Sequence, residues 1–215
     1  MDYRISSREY LARARRRLDD GTPDSLFYAA FELRCGIESR MSEYLEVWDH
    51  ISNKKKKGWR IAELGRNVEE HFKTGNKIVR WAIIDKETGK LVVCVYYTPV
   101  TSRLRNAGEK LGNYLHSMKK FRKKVDPFWA NFRDELEQIY SQLAVANKGT
   151  LLGPPLLKTG AGEVDMKLDL PPSADPENLF NKTLNKGKEI QVKVSYHAHL
   201  PKALEGKAHV WEIAS

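Results

Sequence analysis

The run Arg66-Asn67-Val68-Glu69-Glu70-His71 pairs a permanent guanidinium with an imidazole across four intervening positions. Arginine presents a planar fork that grips a phosphate, and histidine exchanges protons near neutrality. Together they suit metal-free cleavage of RNA, in which the ribose 2′-hydroxyl attacks the neighbouring phosphate and an imidazole moves the proton. Residues five apart on a helix lie about 140° apart around its axis. Arg66 and His71 therefore meet only if the backbone bends or a second subunit completes the site. Otherwise the two residues simply solvate the flanks of an apolar stripe.

Two further groups have types and spacings that bear on chemistry. Lys119-Lys120-Phe121-Arg122-Lys123-Lys124, with Trp129 close behind, mixes five cations with aromatic rings. That mixture suits phosphate contacts combined with base stacking. Lys54, Lys55, Lys56 and Lys57, together with Arg13, Arg15, Arg16 and Arg17, would extend the patch if the fold gathers these ends. The alternative is a set of solvated helix ends whose cations complement the macrodipole. His197 and His199 fall on one face of an expected strand, and His209 would come from a neighbour, a set able to hold zinc. No carboxylate or cysteine reinforces it, so an exposed strand face is the simpler reading, and no metal or other cofactor is expected. Glycine-rich phosphate loops, paired catalytic carboxylates and nucleophile elbows are absent from the sequence.

The charge behind these groups is uneven. Net charge is +9 over 215 residues, yet residues 161–215 carry 7 basic and 8 acidic side chains. Residues 1–160 carry the other 30 basic and 20 acidic ones, a net of +10. A field of that sign concentrates polyanions, so nucleic acid is the expected partner on the part before residue 161, the alternative being a charge that only keeps the protein soluble. The 2′-hydroxyl chemistry of Arg66 and His71 puts RNA before DNA. Cys35 and Cys94 lack any CxxC spacing and read as free thiols. No apolar run reaches the ~18 residues of a membrane span, and Met1-Asp2-Tyr3-Arg4 precedes no apolar leader region. No membrane partner and a cytoplasmic location are the expectations.

The elements that must position these residues are legible from periodicity. Ser6-x-x-Glu9 is a capping box for a helix that stops near Asp19-Asp20-Gly21, and Thr22-Pro23 opens a second. Leu26, Ala30, Leu33, Ile37, Met41, Tyr44 and Trp48 form a continuous apolar seam that must face a core, a partner or a second copy. A third helix is expected from about Trp59 to Phe72, after a basic loop at Lys54–Lys57. Lys77–Asp85 and Lys90–Tyr97 read as strands joined by a hairpin turn at Lys86-Glu87-Thr88-Gly89. A fourth helix follows Thr101-Ser102, with Leu104, Ala107, Leu111, Leu115 and Met118 as its stripe. Asp126-Pro127 caps a fifth, carrying Trp129, Phe132, Leu136, Ile139 and Leu143. Residues 147–162 read as a linker or crossover, and 163–215 as a small β region with strands near Val164–Leu170, Ile190–Ala198 and Ala208–Ile213.

The expected class is α+β: residues 1–146 form a five-helix basic bundle interrupted by a β-hairpin at 77–97. An isolated hairpin is marginal in water, so hairpin and C-terminal strands are expected to join in one sheet packed on the bundle. Over residues 1–146 the chain resembles the HEPN superfamily, both in the Arg66-Asn67…His71 motif and in the long helix containing Phe27–Arg34 and Ile37-Glu38. The resemblance implies a helical-bundle ribonuclease from a toxin–antitoxin or antiviral defence system, with its site built across a dimer. It also implies that Arg66 binds the scissile phosphate, His71 moves protons and Asn67 orients one of the pair. The alternative is a non-catalytic subunit that binds nucleic acid or protein.

Overall fold

A computed structural model describes residues 5–56, 58, 60–116, 122–123, 125–151, 156–157, 164–165, 189–202 and 211–213. The described elements are α1 (Ser7–Asp20), α2 (Pro23–Glu46), α3 (Asn53–Lys56), α4 (Ile61–Phe72), β1 (Ile78–Asp85), β2 (Leu91–Tyr97), α5 (Ser102–Tyr114), α6 (Phe128–Ala146), β3 (Leu156–Leu157), β4 (Val164–Asp165), β5 (Ile190–His197) and β6 (Trp211–Ile213). The class is α+β, as expected. They fall into two compact units: residues 1–75 with 100–147, and residues 76–99 with 148–215. The hairpin, grouped by sequence with the helices, belongs by packing to the second unit, and the helical unit is built from two stretches of chain.

In the helical unit each helix starts where its capping residue dictates. Ser6, Thr22 and Thr101 accept the backbone N–H groups of Glu9, Ser25 and Leu104, satisfying donors left open by the first turn. Gly21, at φ 64°, ends α1 in the left-handed conformation that glycine adopts without strain. The seam of α2 is core throughout: Leu26, Ala30, Leu33, Ile37, Met41, Tyr44 and Trp48 are at most 1% exposed. It is filled within this chain, so of the alternatives of core, partner or second copy the seam is core. Helix α1 runs antiparallel to α2, with Ser7 Oγ donating to Gly36 O and Arg17 over the Tyr28 ring. Helix α6 runs parallel to α2, from the Phe27–Trp129 ring contact to the bond from Arg40 Nε to Ala146 O at 3.0 Å. Buried Arg40, with Tyr44 Oη beside it, sets a positive charge on the negative end of α6. Helix α5 runs antiparallel to α2, and Gly108 lets it close in. A Cβ there would lie 2.8 Å from Ile61 Cδ1 and 3.0 Å from Ile37 Cδ1.

The helices number six among the described residues, not five. The lysine run forms a short turn of helix, α3, because its carbonyls and amines find partners on α2 and α4. The helix expected from Trp59 begins at Ile61. The expected stripe of α5 also shifts. Its buried residues are Leu104, Gly108 and Leu111, the helix stops at Tyr114, and Leu115 is 39% exposed. Met118 lies outside the described residues.

In the second unit, hairpin and C-terminal strands form one antiparallel sheet of order β5-β1-β2-β6. Asp85 shapes the hairpin turn, its Oδ1 accepting the N–H groups of Glu87 and Thr88 at 3.0 Å, and Gly89 takes φ 67°. Both faces of the hairpin are buried. Trp81, Ile83, Val93 and Val95 cluster on one, and Ile78, Ala82, Cys94 and Tyr96 on the other. Strand β5 pairs with β1 from Ile78↔His197 to Asp85↔Ile190. Its alternation is amphipathic as expected, but Val192, Val194 and Tyr196 are 39–56% exposed, unlike the paired residues of β1. The start of the presumed linker is instead part of the unit. Thr150 N donates to Tyr96 O and Gly149 N to Thr98 Oγ1, both at 2.8 Å. Of the strand expected over Val164–Leu170 only Val164–Asp165 lies within the described residues, as β4 paired to β3. Of Ala208–Ile213, Trp211–Ile213 appears as β6.

Candidate functional site

Helix α4 carries the Arg66–His71 motif and is unbroken from Ile61 to Phe72, with Ile61, Leu64, Gly65, Val68 and Phe72 facing inward. An unbroken helix leaves Arg66 and His71 about 140° apart, and no contact joins them among the described residues. Gly65 faces α5, where the Arg105 side chain crosses it and donates to its carbonyl at 3.5 Å. Arg66 is one position further round that side, exposed, with no hydrogen bond or ion pair among the described residues. His71 sits on the other flank. The motif therefore does not close within one chain.

What surrounds His71 is a different set of residues. Its Nδ1 lies 2.8 Å from Asn67 O, one helical turn back. A carbonyl only accepts, so Nδ1 carries a proton, and in the neutral ring Nε2 is the nitrogen with the lone pair. The His50 ring, from the turn after α2, has its centroid 5.9 Å from that of His71 at an interplanar angle of 37°. His50 also meets the edge of Trp48, whose ring is buried and lies against Phe72. Asn67, expected to orient one of the pair, donates its amide to Lys55 O at 2.9 Å and ties α3 to α4. Lys55 Nζ pairs with Glu70 at 2.6 Å and holds that carboxyl below its ordinary range, chiefly through the hydrogen bond. Lys56 is buried and its Nζ donates to Glu46 O at the end of α2. Lys54 is exposed, and Lys57 lies outside the described residues. Sequence spacing could not reveal His50, because it reaches His71 through the fold of the turn and not through helical period.

The other basic runs separate as well. Helix α2 is 24 residues long, about 36 Å at 1.5 Å per residue. The lysines of α3 follow its C-terminal end, whereas Arg17 and Trp129 meet its N-terminal end. At that end Arg13 pairs with Glu32 at 2.7 Å, and Arg15 pairs with Glu137 and Asp19 at 2.8–2.9 Å. Of the run at 119–124, only Arg122 and Lys123 lie within the described residues. The Arg122 guanidinium stacks 3.9 Å from the Phe128 ring centre and pairs with Asp126 at 3.4 Å. The Trp129 indole N–H donates to Lys123 O at 2.9 Å, so the ring and the exposed lysine are held side by side. Phe27, Phe128 and Trp129 are half-buried and mutually packed.

Between the two ends runs α5, and its outer face was missed by the sequence reading. Arg103, Asn106, Lys110 and Asn113 recur at steps of 3, 4 and 3 and are all exposed. None makes a hydrogen bond or ion pair among the described residues. Glu109, the nearest acid of the helix, lies about 100° round from Lys110. The signal was present in the periodicity, hidden by attention to the apolar stripe on the opposite side.

Of the histidines of the second unit, His197 and His199 form no metal-ligating group among the described residues. β5 ends at His197, whose Nε2 lies 3.1 Å from Ser195 Oγ, and His199 stands beyond the strand, exposed. His209 lies outside the described residues. Among the described residues no group of three or more His, Cys, Asp or Glu side chains could hold a metal ion. Nor is any helix among them long and apolar enough to cross a membrane. Cys35 is half-buried, and desolvation pushes its thiol up to about 11, so it is no ready nucleophile. The chain matches no protein-family model, no curated protein and no solved structure.

Proposed function

We propose that the helical unit binds single-stranded RNA along the outer face of α5 and the aromatic end formed by Lys123, Phe128 and Trp129. The observation that supports this is the exposed stripe Arg103, Asn106, Lys110 and Asn113, whose side chains have no partner among the described residues. Cations there can meet phosphates, asparagine amides can meet base edges or ribose hydroxyls, and the adjoining rings offer stacking surface to unpaired bases. Helix α5 is about 20 Å long, enough to follow several nucleotides. The test is binding of a labelled single-stranded oligoribonucleotide by fluorescence anisotropy across a salt series. Log affinity should fall linearly with log salt, the mark of counterion release. No binding at low salt would remove nucleic acid as the partner.

A second reading, RNA cleavage, is favoured by one observation: His71 Nδ1 is turned to the Asn67 carbonyl, which makes Nε2 the ring nitrogen that would accept a proton, as a general base requires. Arg66 cannot reach it within one chain, so a guanidinium contribution would require a second copy, as the HEPN resemblance implies. Cleavage of RNA but not DNA in excess chelator, lost in His71→Ala, would establish this reading. A folded protein that binds RNA and never cuts it would leave the binding function alone.

A further inference from the structure

We infer that His50 and His71 form the proton-transfer pair of a phosphodiester-cleaving site, with His71 as base and His50 as acid. The inference rests on the cleavage reading and replaces its within-chain partner. The two imidazoles are close enough, 5.9 Å between centroids, to address oxygens on one phosphorus, and at 37° they do not stack face to face. His71 is oriented by the Asn67 carbonyl, one turn back on a rigid helix. His50 is set by the buried Trp48 ring two residues before it. Each imidazole is therefore supported by a packed element, which is the preorganisation a proton-transfer pair needs. The charged groups beside the pair are Glu70 on α4 and Lys55 on α3, which neutralise each other, and Asp49 precedes His50 in the turn. Lys54, exposed one position before Lys55, and Lys73, exposed at the end of α4 two positions after His71, are cations that would meet the phosphate.

The step balances within the RNA and the two rings. His71 Nε2 takes the 2′-hydroxyl proton as the 2′-oxygen bonds to phosphorus. The bond from phosphorus to the 5′-oxygen breaks, and that oxygen takes a proton from protonated His50. The products are a 2′,3′-cyclic phosphate and a 5′-hydroxyl, with His71 left protonated and His50 neutral until they exchange protons with water. One ring must start free and the other protonated, so the rate should rise and then fall with pH.

The experiment compares two substrates in wild-type, His50→Ala and His71→Ala proteins, each checked for folding by circular dichroism. The first substrate is a uridine-containing dinucleotide, whose alkoxide leaving group needs an acid. The second is uridine 3′-(4-nitrophenyl phosphate), whose leaving group departs without one. His71→Ala should slow both by about 10²–10⁴-fold. His50→Ala should slow the dinucleotide comparably, yet stay within a few-fold of wild type on the nitrophenyl ester, and lose the falling limb of the pH profile. A wild-type rate for His50→Ala on the dinucleotide, or equal loss on both substrates, would overturn the acid assignment while leaving the His71 reading intact. No cleavage by wild type, or full activity in His71→Ala, would overturn the cleavage reading and this inference with it.

Discussion

In α1, Arg13 lies 2.7 Å from Glu32 and Arg15 grips Glu137 with both ends of its fork. In α5, Arg103 and Lys110 stand exposed with no such partner among the described residues. The two helices carry comparable positive charge, but their neighbours differ. Helix α1 packs beside α2 and α6, which supply Glu32 and Glu137, so Arg13 and Arg15 knit the unit together. The outer stripe of α5 meets no carboxylate among the described residues. A cation already paired offers a phosphate little, because binding must first break the pair. Available charge is thus a property of packing, and a count of basic residues overstates it.

This contrast between an inward-working region and an outward-working one can be broken at several levels. The largest effect should come from the core beneath α1. Leu33→Ala leaves a cavity in a fully buried seam and should cost about 2–5 kcal/mol in urea or thermal melts. The RNA affinity of the folded protein should not change. Next comes the outward face. Replacing Arg103, Lys110 and Lys123 by Gln should lower affinity and flatten the log–log salt slope by about 2, at ~0.7 per phosphate contact on a single strand. An unchanged slope in a folded variant would refute the α5 track.

A smaller effect is expected at Arg15. Arg15→Gln removes a half-exposed pair and should cost about 1 kcal/mol or less, with the salt slope of RNA binding left as it was. A flattened slope would show that α1 contacts RNA after all. The smallest effect is its pH signature. The hydrogen bond from Arg15 holds the Glu137 carboxyl below its ordinary range. A depressed carboxylate stabilises the fold above its unfolded value and loses that contribution as pH falls through its folded value. Melts between neutral and acid pH should therefore show wild type and Arg15→Gln converging on acidification.

The parts of the fold set by local rules were legible in the sequence. The α2 seam follows from strict helical period, the starts of α1, α2 and α5 from their capping residues, and the hairpin from Gly89. Where long-range packing decides, the reading departed. Leu115 continues the apolar period of α5, yet the helix ends one residue before it. Val192, Val194 and Tyr196 alternate as a buried face should, yet β5 pairs at the end of the described sheet and they stay exposed. Lys56 reads as a surface cation in a lysine run but is drawn onto the last turn of α2. At the candidate site, His71 was visible as a residue type at a suggestive spacing. Its neighbour His50 was not, since 21 positions and a turn of unspecified geometry separate them.

The pairing of β1 with β5 has a consequence for the order in which the molecule forms. Lys86 and Glu189, which meet beside that ladder, are 103 positions apart, so β1 emerges from the ribosome long before its partner exists. At roughly 5–20 residues per second the delay is about 5–20 s, far longer than the microseconds a hairpin needs to close. The helical unit, complete by Asn147, can fold in that interval. The hairpin cannot finish, because the edge of β1 that will receive β5 remains open while its apolar faces are ready for contact. Aggregation during synthesis should therefore be most sensitive to β1.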